Sequence, residues 1–254
     1  MNTSFYTAAV GASAYQDKVS VVANNMANIN SDGYKGMKPV FSDLVYSGMD
    51  EKGDALQQGH GTALDKTNTD FYHPGALKQT GREFDFSING DGFFGLLDPG
   101  TGEVTYTRCG SFQKSNYDGT FYLTDTNGRQ VLSVDEEAIE FMDPEEEADE
   151  EEEALDLTRD IGIFNIPVKD GLLALGDGTF QASDKNGAIY VQDDEEYEED
   201  EARPFVLQGM LEQSDVEMTE EMAHLIETQR NYQYVLKMIQ TSDEIEQLGN
   251  ELRR

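Results

Sequence analysis

Several residue types are scarce in this chain of 254 residues, and each scarcity excludes a class of structure or function. Cys109 is the only cysteine, so the chain cannot form an internal disulfide. Tryptophan is absent, which leaves 13 Phe and 12 Tyr to supply the aromatic core. Lys and Arg total 18 against 51 Asp and Glu, for a net charge of −33. Because phosphate groups are bound through cations, we expect no nucleic acid as a partner.

Long apolar runs are also missing. No stretch approaches the roughly 20 apolar residues that a membrane-spanning helix needs, so we expect no membrane insertion. The first cation is Lys18, and no apolar segment precedes it. The sequence therefore predicts that the chain carries no cleaved signal peptide.

The acidic residues are unevenly distributed. Residues 143–153 contain nine acids and residues 193–201 contain eight, and neither run contains Lys or Arg. Such runs repel themselves, so we predict two solvated loops. These loops should face outward, since stacking them across a subunit interface would add like-charge repulsion.

Apolar residues recur at heptad spacing at both ends of the chain, which is typical of helices that need a helical partner. The first helix is predicted from Thr3 to Asn28. The second is predicted to follow a capping box at Ser214 and Glu217 and to reach Asn250. We predict that the two helices pair as a coiled coil. The seam residues are predicted to be Phe5, Ala8, Tyr15, Val22, Met26, Leu225, Tyr232, Leu236 and Ile239.

The middle of the chain has the two-residue period of β-strands. Phe84, Phe86 and Ile88 alternate with polar residues and predict a half-buried strand, and residues 90–92 predict a hairpin turn after it. Short apolar segments then recur between turn signals, which favours an antiparallel β-domain. The predicted class is α+β, with terminal helices and a central, mostly antiparallel β-domain. The predicted divisions are residues 1–33 (helix), 34–75 (linker), 76–208 (β-domain) and 209–254 (helix).

The residues that could carry chemistry form no recognisable site. The three histidines are far apart in sequence, and no nucleophile elbow or phosphate-binding glycine loop is present. An EF-hand alignment with Gly187 at its sixth position fails, because its first ligand would be Ala182. We therefore predict no catalytic residue, no metal site, no cofactor and no enzymatic activity.

Four segments resemble the axial proteins of the bacterial flagellum, that is, the rod and hook proteins of the basal body. They span residues 22–35, 85–94, 106–112 and 209–216, and they occur in the order found in that family. The match continues through Arg230. The family-motif residues are Asn24, Asn25, Asn28, Gly33, Tyr34, Lys35, Gly90, Gly92, Phe93, Phe94, Tyr106, Arg108, Glu212, Val216 and Arg230.

The resemblance implies a structural subunit that polymerises into a hollow rod through its helices. Length and a single β-domain favour the distal rod type, with the proximal rod type second. By resemblance, Asn24, Asn25 and Asn28 end or bridge the first helix, and Gly33 allows the turn that follows. The implied partners are the chain itself, other rod and hook proteins, and the flagellar export apparatus. The implied location is the basal body, on the periplasmic side of the envelope.

Two alternatives remain open at the level of sequence. One is a secreted calcium-binding β-protein with helical termini. The other is a scaffold or cap that leaves the flagellum after construction.

Overall fold

A computed structural model describes residues 3–44, 46–49, 56–59, 61–141, 157–191 and 204–252. The chain divides into two compact units. The first comprises residues 1–29, 36–70 and 216–254, and the second comprises residues 30–35 and 71–215. The predicted acidic loops, 143–153 and 193–201, lie outside the described residues. Within the described ranges, no helix has the length and apolar character needed to cross a membrane.

The described residues form three α-helices and eighteen strands. The helices are α1 (Thr3–Ala27), α2 (Leu157–Asp160) and α3 (Met218–Glu251), and a 3-10 turn spans Lys169–Gly171. The strands are β1 (Met37–Asp43), β2 (Tyr46–Met49), β3 (Leu56–Gly59), β4 (Thr62–Thr69), β5 (Leu77–Gln79), β6 (Phe86–Asn89), β7 (Phe93–Leu97), β8 (Val104–Thr107), β9 (Gln113–Tyr117), β10 (Thr120–Thr124), β11 (Gln130–Val131), β12 (Glu140–Phe141), β13 (Ile163–Asn165), β14 (Leu173–Gly176), β15 (Thr179–Gln181), β16 (Tyr190–Val191), β17 (Phe205–Gln208) and β18 (Met210–Glu212).

The first unit combines α1 and α3 with two antiparallel strand pairs. Strand β1 pairs with β4, with an irregularity between Val40 and Phe41, and β2 pairs with β3. Helix α1 packs against α3 and also contacts β1 and β4. The stretch 34–75, predicted as a linker, thus contributes strands to this unit.

The second unit is built around a ten-stranded sheet. Its main path runs β12-β10-β11-β7-β8-β15-β14, while β9 pairs with β10, β13 with β7, and β16 with β13. Two further strand pairs, β6 with β17 and β5 with β18, complete the unit, and the pairings are antiparallel. The chain is α+β with terminal helices and a central antiparallel β-region, as the sequence predicted.

Neighbouring phenylalanines on β7 anchor two apolar clusters on opposite faces of the sheet, because successive side chains of a strand point in opposite directions. Phe94 is fully buried and packs edge-to-face on Phe112, at 5.3 Å between ring centroids. Phe93 faces the other cluster and packs edge-to-face on Phe71 at 5.5 Å. The consecutive Phe pair therefore ties both layers of the core to one strand.

The strand predicted around Phe86 is present, but its surroundings differ from the prediction. Phe86, Ser87 and Ile88 are all buried, so β6 is covered on both faces rather than one. Its partner is β17, whereas β7 pairs with β8, β11 and β13. The hairpin predicted at residues 90–92 is therefore wrong. Strand β17, from far along the chain, pairs with β6 in place of β7. The turn therefore joins strands of different sheets.

The start of α3 also differs from the prediction. Glu217 is the N-cap residue, in extended backbone, and its side chain makes no capping hydrogen bond. The capping box at Ser214 and Glu217 is therefore wrong. The preceding chain stays extended because it is hydrogen-bonded elsewhere. The Gln213 N–H donates to the Ala76 carbonyl at 2.8 Å, and the Asp215 N–H donates to the Tyr34 carbonyl at 3.4 Å.

Candidate functional site

The helices of the first unit lie antiparallel. Asn25 of α1 hydrogen-bonds to Glu221 near the start of α3. Gly11 of α1 lies opposite Val235, whose Cγ1 is 3.9 Å from the point where a Cβ on Gly11 would stand. The same number of residues separates these two contacts on each helix, in opposite directions. The two contacts therefore fit one antiparallel alignment of α1 and α3.

A stripe on α3 faces inward in steps of three and four residues, the spacing that keeps side chains on one face of a helix. Thr228 and Ser242 are buried in it, and the rest are half-buried. Three of the four seam residues predicted on this helix belong to the stripe. Its members are Leu225, Thr228, Tyr232, Val235, Ile239 and Ser242.

The fourth, Leu236, lies outside the stripe and is 37% exposed. On α1, Val22 is buried, while Ala8, Tyr15 and Met26 are half-buried. Phe5 is 38% exposed. The structure thus brings seven of the nine predicted seam residues into partial or full burial within one chain, and leaves Phe5 and Leu236 on the surface.

The buried residues of the two helices include positions that the apolar pattern missed. Thr228 and Ser242 of the stripe and Ala14 of α1 are small, and the Thr228 hydroxyl donates within its helix to the His224 carbonyl at 2.6 Å. Small side chains let helices approach closely, so they belong to the contact even though they carry little apolar area. A search for heptads that accepted Ala, Ser and Thr would have found them.

Asn25 connects three elements of the first unit. Its side-chain Nδ2 donates to the Met37 carbonyl and to Glu221 Oε1, both at 2.9 Å, and its Oδ1 accepts the Met37 N–H at 2.9 Å. The amide thus pairs with the first residue of β1 as a neighbouring strand would. Asn28 closes the last turn of α1, since its Nδ2 donates to Asn24 Oδ1 at 2.7 Å.

Replacing Asn25 by alanine is expected to destabilise the first unit by about 1–3 kcal/mol, because partly buried groups of β1 and α3 would lose their partner. Asn24→Ala is the matched control, since Asn24 is exposed and, among the described residues, hydrogen-bonds to Asn28 one turn away. Urea denaturation followed by circular dichroism measures both. Equal effects for the two variants would contradict the bridging role.

The second unit contains a buried ion cluster made of Lys35, Arg108 and Glu212, which we call the junction cluster. Glu212 Oε1 lies 2.7 Å from Lys35 Nζ and accepts the Gly75 N–H at 2.8 Å. Glu212 Oε2 lies 3.4 Å from Arg108 Nη1. The three side chains are 1–3% exposed. One carboxylate therefore joins residues from three distant parts of the sequence.

The cations of the junction cluster have further partners. Lys35 Nζ donates to the His73 carbonyl at 2.8 Å, and Arg108 Nη2 donates to the Gly90 carbonyl at 2.9 Å. The Arg108 guanidinium carbon also lies 5.4 Å from the centre of the Phe93 ring. Burial lowers the pKa of Arg108, and the carboxylates of Glu212 and Asp91 partly offset that effect.

The turn predicted at Gly33 is hydrogen-bonded to Glu212 of the junction cluster. Its φ is +69°, and a Cβ there would lie 2.5 Å from the backbone nitrogen of Cys109, so only glycine fits. The Gly33 N–H donates to the Glu212 carbonyl at 2.6 Å. Tyr34 accepts the Asp215 N–H through its carbonyl. Backbone hydrogen bonds thus join residues 33–34 to residues 212–215, the same two segments that the Lys35–Glu212 ion pair joins.

The remaining motif residues make other contacts or lie at the surface. Gly92 lies against Ile163 with φ of +130°, where a Cβ would clash. Tyr106 packs on Phe164 at 5.6 Å. In the first unit, Val216 is half-buried and Arg230 is exposed.

Groups suited to metal binding do not gather in the described ranges. These ranges contain no cluster of three or more His, Cys, Asp or Glu residues that could hold a metal ion. Burial raises the pKa of the Cys109 thiol, which is opposite to the shift expected for an activated nucleophile.

Three protein-family profiles match the chain in succession. "Flagella basal body rod protein" matches residues 5–35, and "Flagellar hook protein FlgE/F/G D1 domain" matches residues 87–170. "Flagellar basal body rod FlgEFG protein C-terminal" matches residues 207–252. The matched ranges contain Lys35, Arg108 and Glu212, one in each.

Similar proteins align along essentially the whole chain. The flagellar basal-body rod protein FlgG of Borreliella burgdorferi is 32% identical over 279 aligned positions, covering 100% of both chains. FlgG of Bacillus subtilis is 30% identical over 273 positions, again covering 100% of both. The flagellar basal-body rod protein FlgF of Mesorhizobium japonicum is 28% identical and covers 98% of this chain and 99% of its own.

Proposed function

Since the chain belongs to the family of bacterial flagellar basal-body rod proteins, we propose that it polymerises through its terminal helices into a hollow helical tube. It is a structural subunit of the rod, of the distal type, and its place is the flagellar basal body. The two alternatives, a calcium-binding secreted protein and a temporary scaffold or cap, are not favoured by these relatives.

One observation carries the proposal: α3 continues past the start of α1 and presents an apolar surface there. Helix α1 has 25 residues and α3 has 34. Continuing the antiparallel alignment from Gly11 to Thr3 on α1 leads from Val235 to Asp243 on α3. The segment beyond it, residues 244–252, has no counterpart among the described residues of α1. Its apolar residues are 67%, 59% and 89% exposed, namely Ile245, Leu248 and Leu252.

These three residues repeat at spacings of three and four and so share one face of α3. Exposed apolar stripes of this kind mark contact surfaces. A neighbouring subunit would cover this exposed face of residues 245–252. Helices α1 and α3 would then belong to a coiled-coil layer made of several subunits. A contact that joins different surfaces of two copies extends as an open helical array when its rotation does not close a ring, and a rod requires that open form.

The proposal extends to partners and delivery. The chain would assemble with other rod and hook proteins, and it would leave the cell through the flagellar export apparatus to reach the periplasmic side. The matches to flagellar rod and hook profiles along the chain support this route. Locating the chain in cells that lack the export gate tests this route. Export of the chain by such cells would count against the route.

The variant Ile245→Asp is expected to reduce polymerisation of the purified chain at least tenfold, because a charge replaces an exposed apolar contact. The matched control is Asn250→Asp, which adds the same charge on the same exposed segment of α3 and removes no apolar surface. Sedimentation and electron microscopy measure polymer yield. Equal yields from the two variants would reject the helix surface as the contact.

Polymerisation is also expected to increase with ionic strength, because copies that each carry a net charge of −33 repel one another and salt screens the repulsion. Light scattering at low and high sodium chloride measures the effect. Choline chloride serves as the control for specific sodium binding. A yield that stays constant across ionic strengths would contradict the expectation.

A further inference from the structure

Helix α3 carries a second set of residues at coiled-coil spacing, separate from the stripe that faces α1. Its members follow one another in alternating steps of four and three residues. They are Tyr234, Met238, Thr241, Ile245, Leu248 and Leu252. Apart from Thr241, these side chains are 59–89% exposed. We call this set the outer stripe, and it extends the exposed face of residues 245–252 back toward the middle of α3.

The outer stripe lies to one side of the contact with α1. Met238 and Ile239 are consecutive, so their side chains point about 100° apart around the helix. Ile239 is half-buried in the stripe that faces α1, whereas Met238 is 63% exposed. The hydroxyl of Thr241 donates within the helix, to the Lys237 carbonyl at 3.1 Å. The outer stripe is therefore suited to an apolar contact with a partner.

Met238 is the member of the outer stripe whose side chain carries an oxidisable thioether. Among the methionines that the structure describes, it is also the most exposed, at 63% against 45% for Met218 and 44% for Met222. Oxidation to the sulfoxide converts a flexible apolar side chain into a polar one. Met238 is thus both accessible to a dissolved peroxide and part of an apolar surface.

The step is a two-electron oxidation of the Met238 sulfur by hydrogen peroxide. A lone pair of the sulfur attacks one peroxide oxygen, an S–O bond forms, and the O–O bond breaks. The sulfur is oxidised to the sulfoxide. The other oxygen is reduced, keeps both hydrogens and leaves as water. Methionine sulfoxide reductases reverse the change, with one enzyme for each sulfoxide epimer.

The sulfoxide changes what the outer stripe can contact. The unmodified thioether is flexible and polarizable, so it packs against irregular apolar surfaces. The sulfoxide oxygen is a hydrogen-bond acceptor, and burying it against apolar side chains would leave it without a partner, which is unfavourable. Conversely, a neighbouring subunit that covered the outer stripe would keep peroxide away from the thioether.

We propose that Met238 is an oxidation site that controls polymerisation. In the free chain, peroxide converts Met238 to the sulfoxide and blocks the contact through the outer stripe. In the polymer, the neighbouring subunit covers Met238 and protects it. The inference rests on the proposed function, because polymerisation is what covers the outer stripe.

The full-length chain and two leucine variants, Met238→Leu and Met222→Leu, test the proposal. Leucine is close to methionine in size and apolarity and has no sulfur to oxidise. Met222 is the matched control: it is exposed on the same helix but lies about 160° around it from Met238, away from the outer stripe. After peroxide treatment and removal of the peroxide, mass spectrometry of peptides locates the sulfoxides, and sedimentation measures polymer yield.

We expect peroxide to reduce the polymer yield of the wild-type chain and of Met222→Leu roughly tenfold, as for one unpaired polar group in a packed contact. Met238→Leu should polymerise equally with and without peroxide. Methionine sulfoxide reductases A and B should restore the treated wild-type chain. Equal losses in all three proteins, or an unchanged yield from wild-type chain oxidised at Met238, would overturn the proposal.

A second measurement compares the rate of Met238 oxidation in free chains and in polymers. We expect the rate to fall on polymerisation, and an equal rate in both states would also overturn the proposal. A wild-type chain that fails to polymerise before any treatment contradicts the proposed function and this inference together. A chain that polymerises normally after Met238 is oxidised contradicts this inference alone.

Discussion

Replacing Glu212 by glutamine is expected to lower the free energy of unfolding of the second unit by about 3–5 kcal/mol. Glu212 is 1% exposed and lies between Lys35 and Arg108. Its neutral isostere keeps the size but removes the carboxylate that the two buried cations share. Breaking one side of a buried ion pair costs far more than such a pair contributes, because the remaining charge has already lost its hydration.

Urea denaturation, followed by tyrosine fluorescence, measures this effect. Glu220→Gln is the matched control, since its side chain is 70% exposed and its contact with His224 is long, at 3.9 Å. The control is expected to change stability by less than about 0.5 kcal/mol. A Glu212 variant as stable as the control would show that water reaches the junction cluster and hydrates its cations.

The second large effect is expected from Val22→Asp. Val22 is 3% exposed on α1, so an ionised carboxylate there would have to enter the contact between the helices. We expect the first unit to lose about 3 kcal/mol or more and polymerisation to be abolished. The second unit should keep its fold, because its core is separate from this contact.

Ala23→Asp is the control for this change. Ala23 is the next residue on α1 and is exposed, so the variant carries the same added charge at nearly the same place. Circular dichroism reports the helices, and electron microscopy reports the polymers. Normal polymers from Val22→Asp would show that the contact between α1 and α3 is not required for assembly.

The sequence by itself determined the features that depend on local pattern. Helix α1 ends at Ala27, one residue from the predicted end, and α3 ends at Glu251, one residue past Asn250. Their existence follows from spacing along one chain segment, which the sequence displays directly. The α+β class followed in the same way, because the period of apolar residues changes from helical to alternating near residue 75.

Contacts between distant segments were decided by tertiary structure. Lys35, Arg108 and Glu212 were each singled out by motif, yet nothing in their spacing indicated that they share one carboxylate. Leu236 fitted the heptad pattern but is 37% exposed, whereas Thr228 did not fit and is fully buried. The apolarity of a side chain indicates how much free energy the chain would gain by burying it. Position on the helix, set by the partner, decides whether it is buried.

The two corrections have the same cause. The hairpin at residues 90–92 failed because β17 pairs with β6, and the cap at Ser214 failed because residues 213 and 215 hydrogen-bond to Ala76 and Tyr34. Local turn and capping signals compete with backbone partners that arrive from far along the chain. The sequence records the local preference, and the fold determines which partner satisfies the backbone, since nearly all buried N–H and C=O groups in folded proteins are paired.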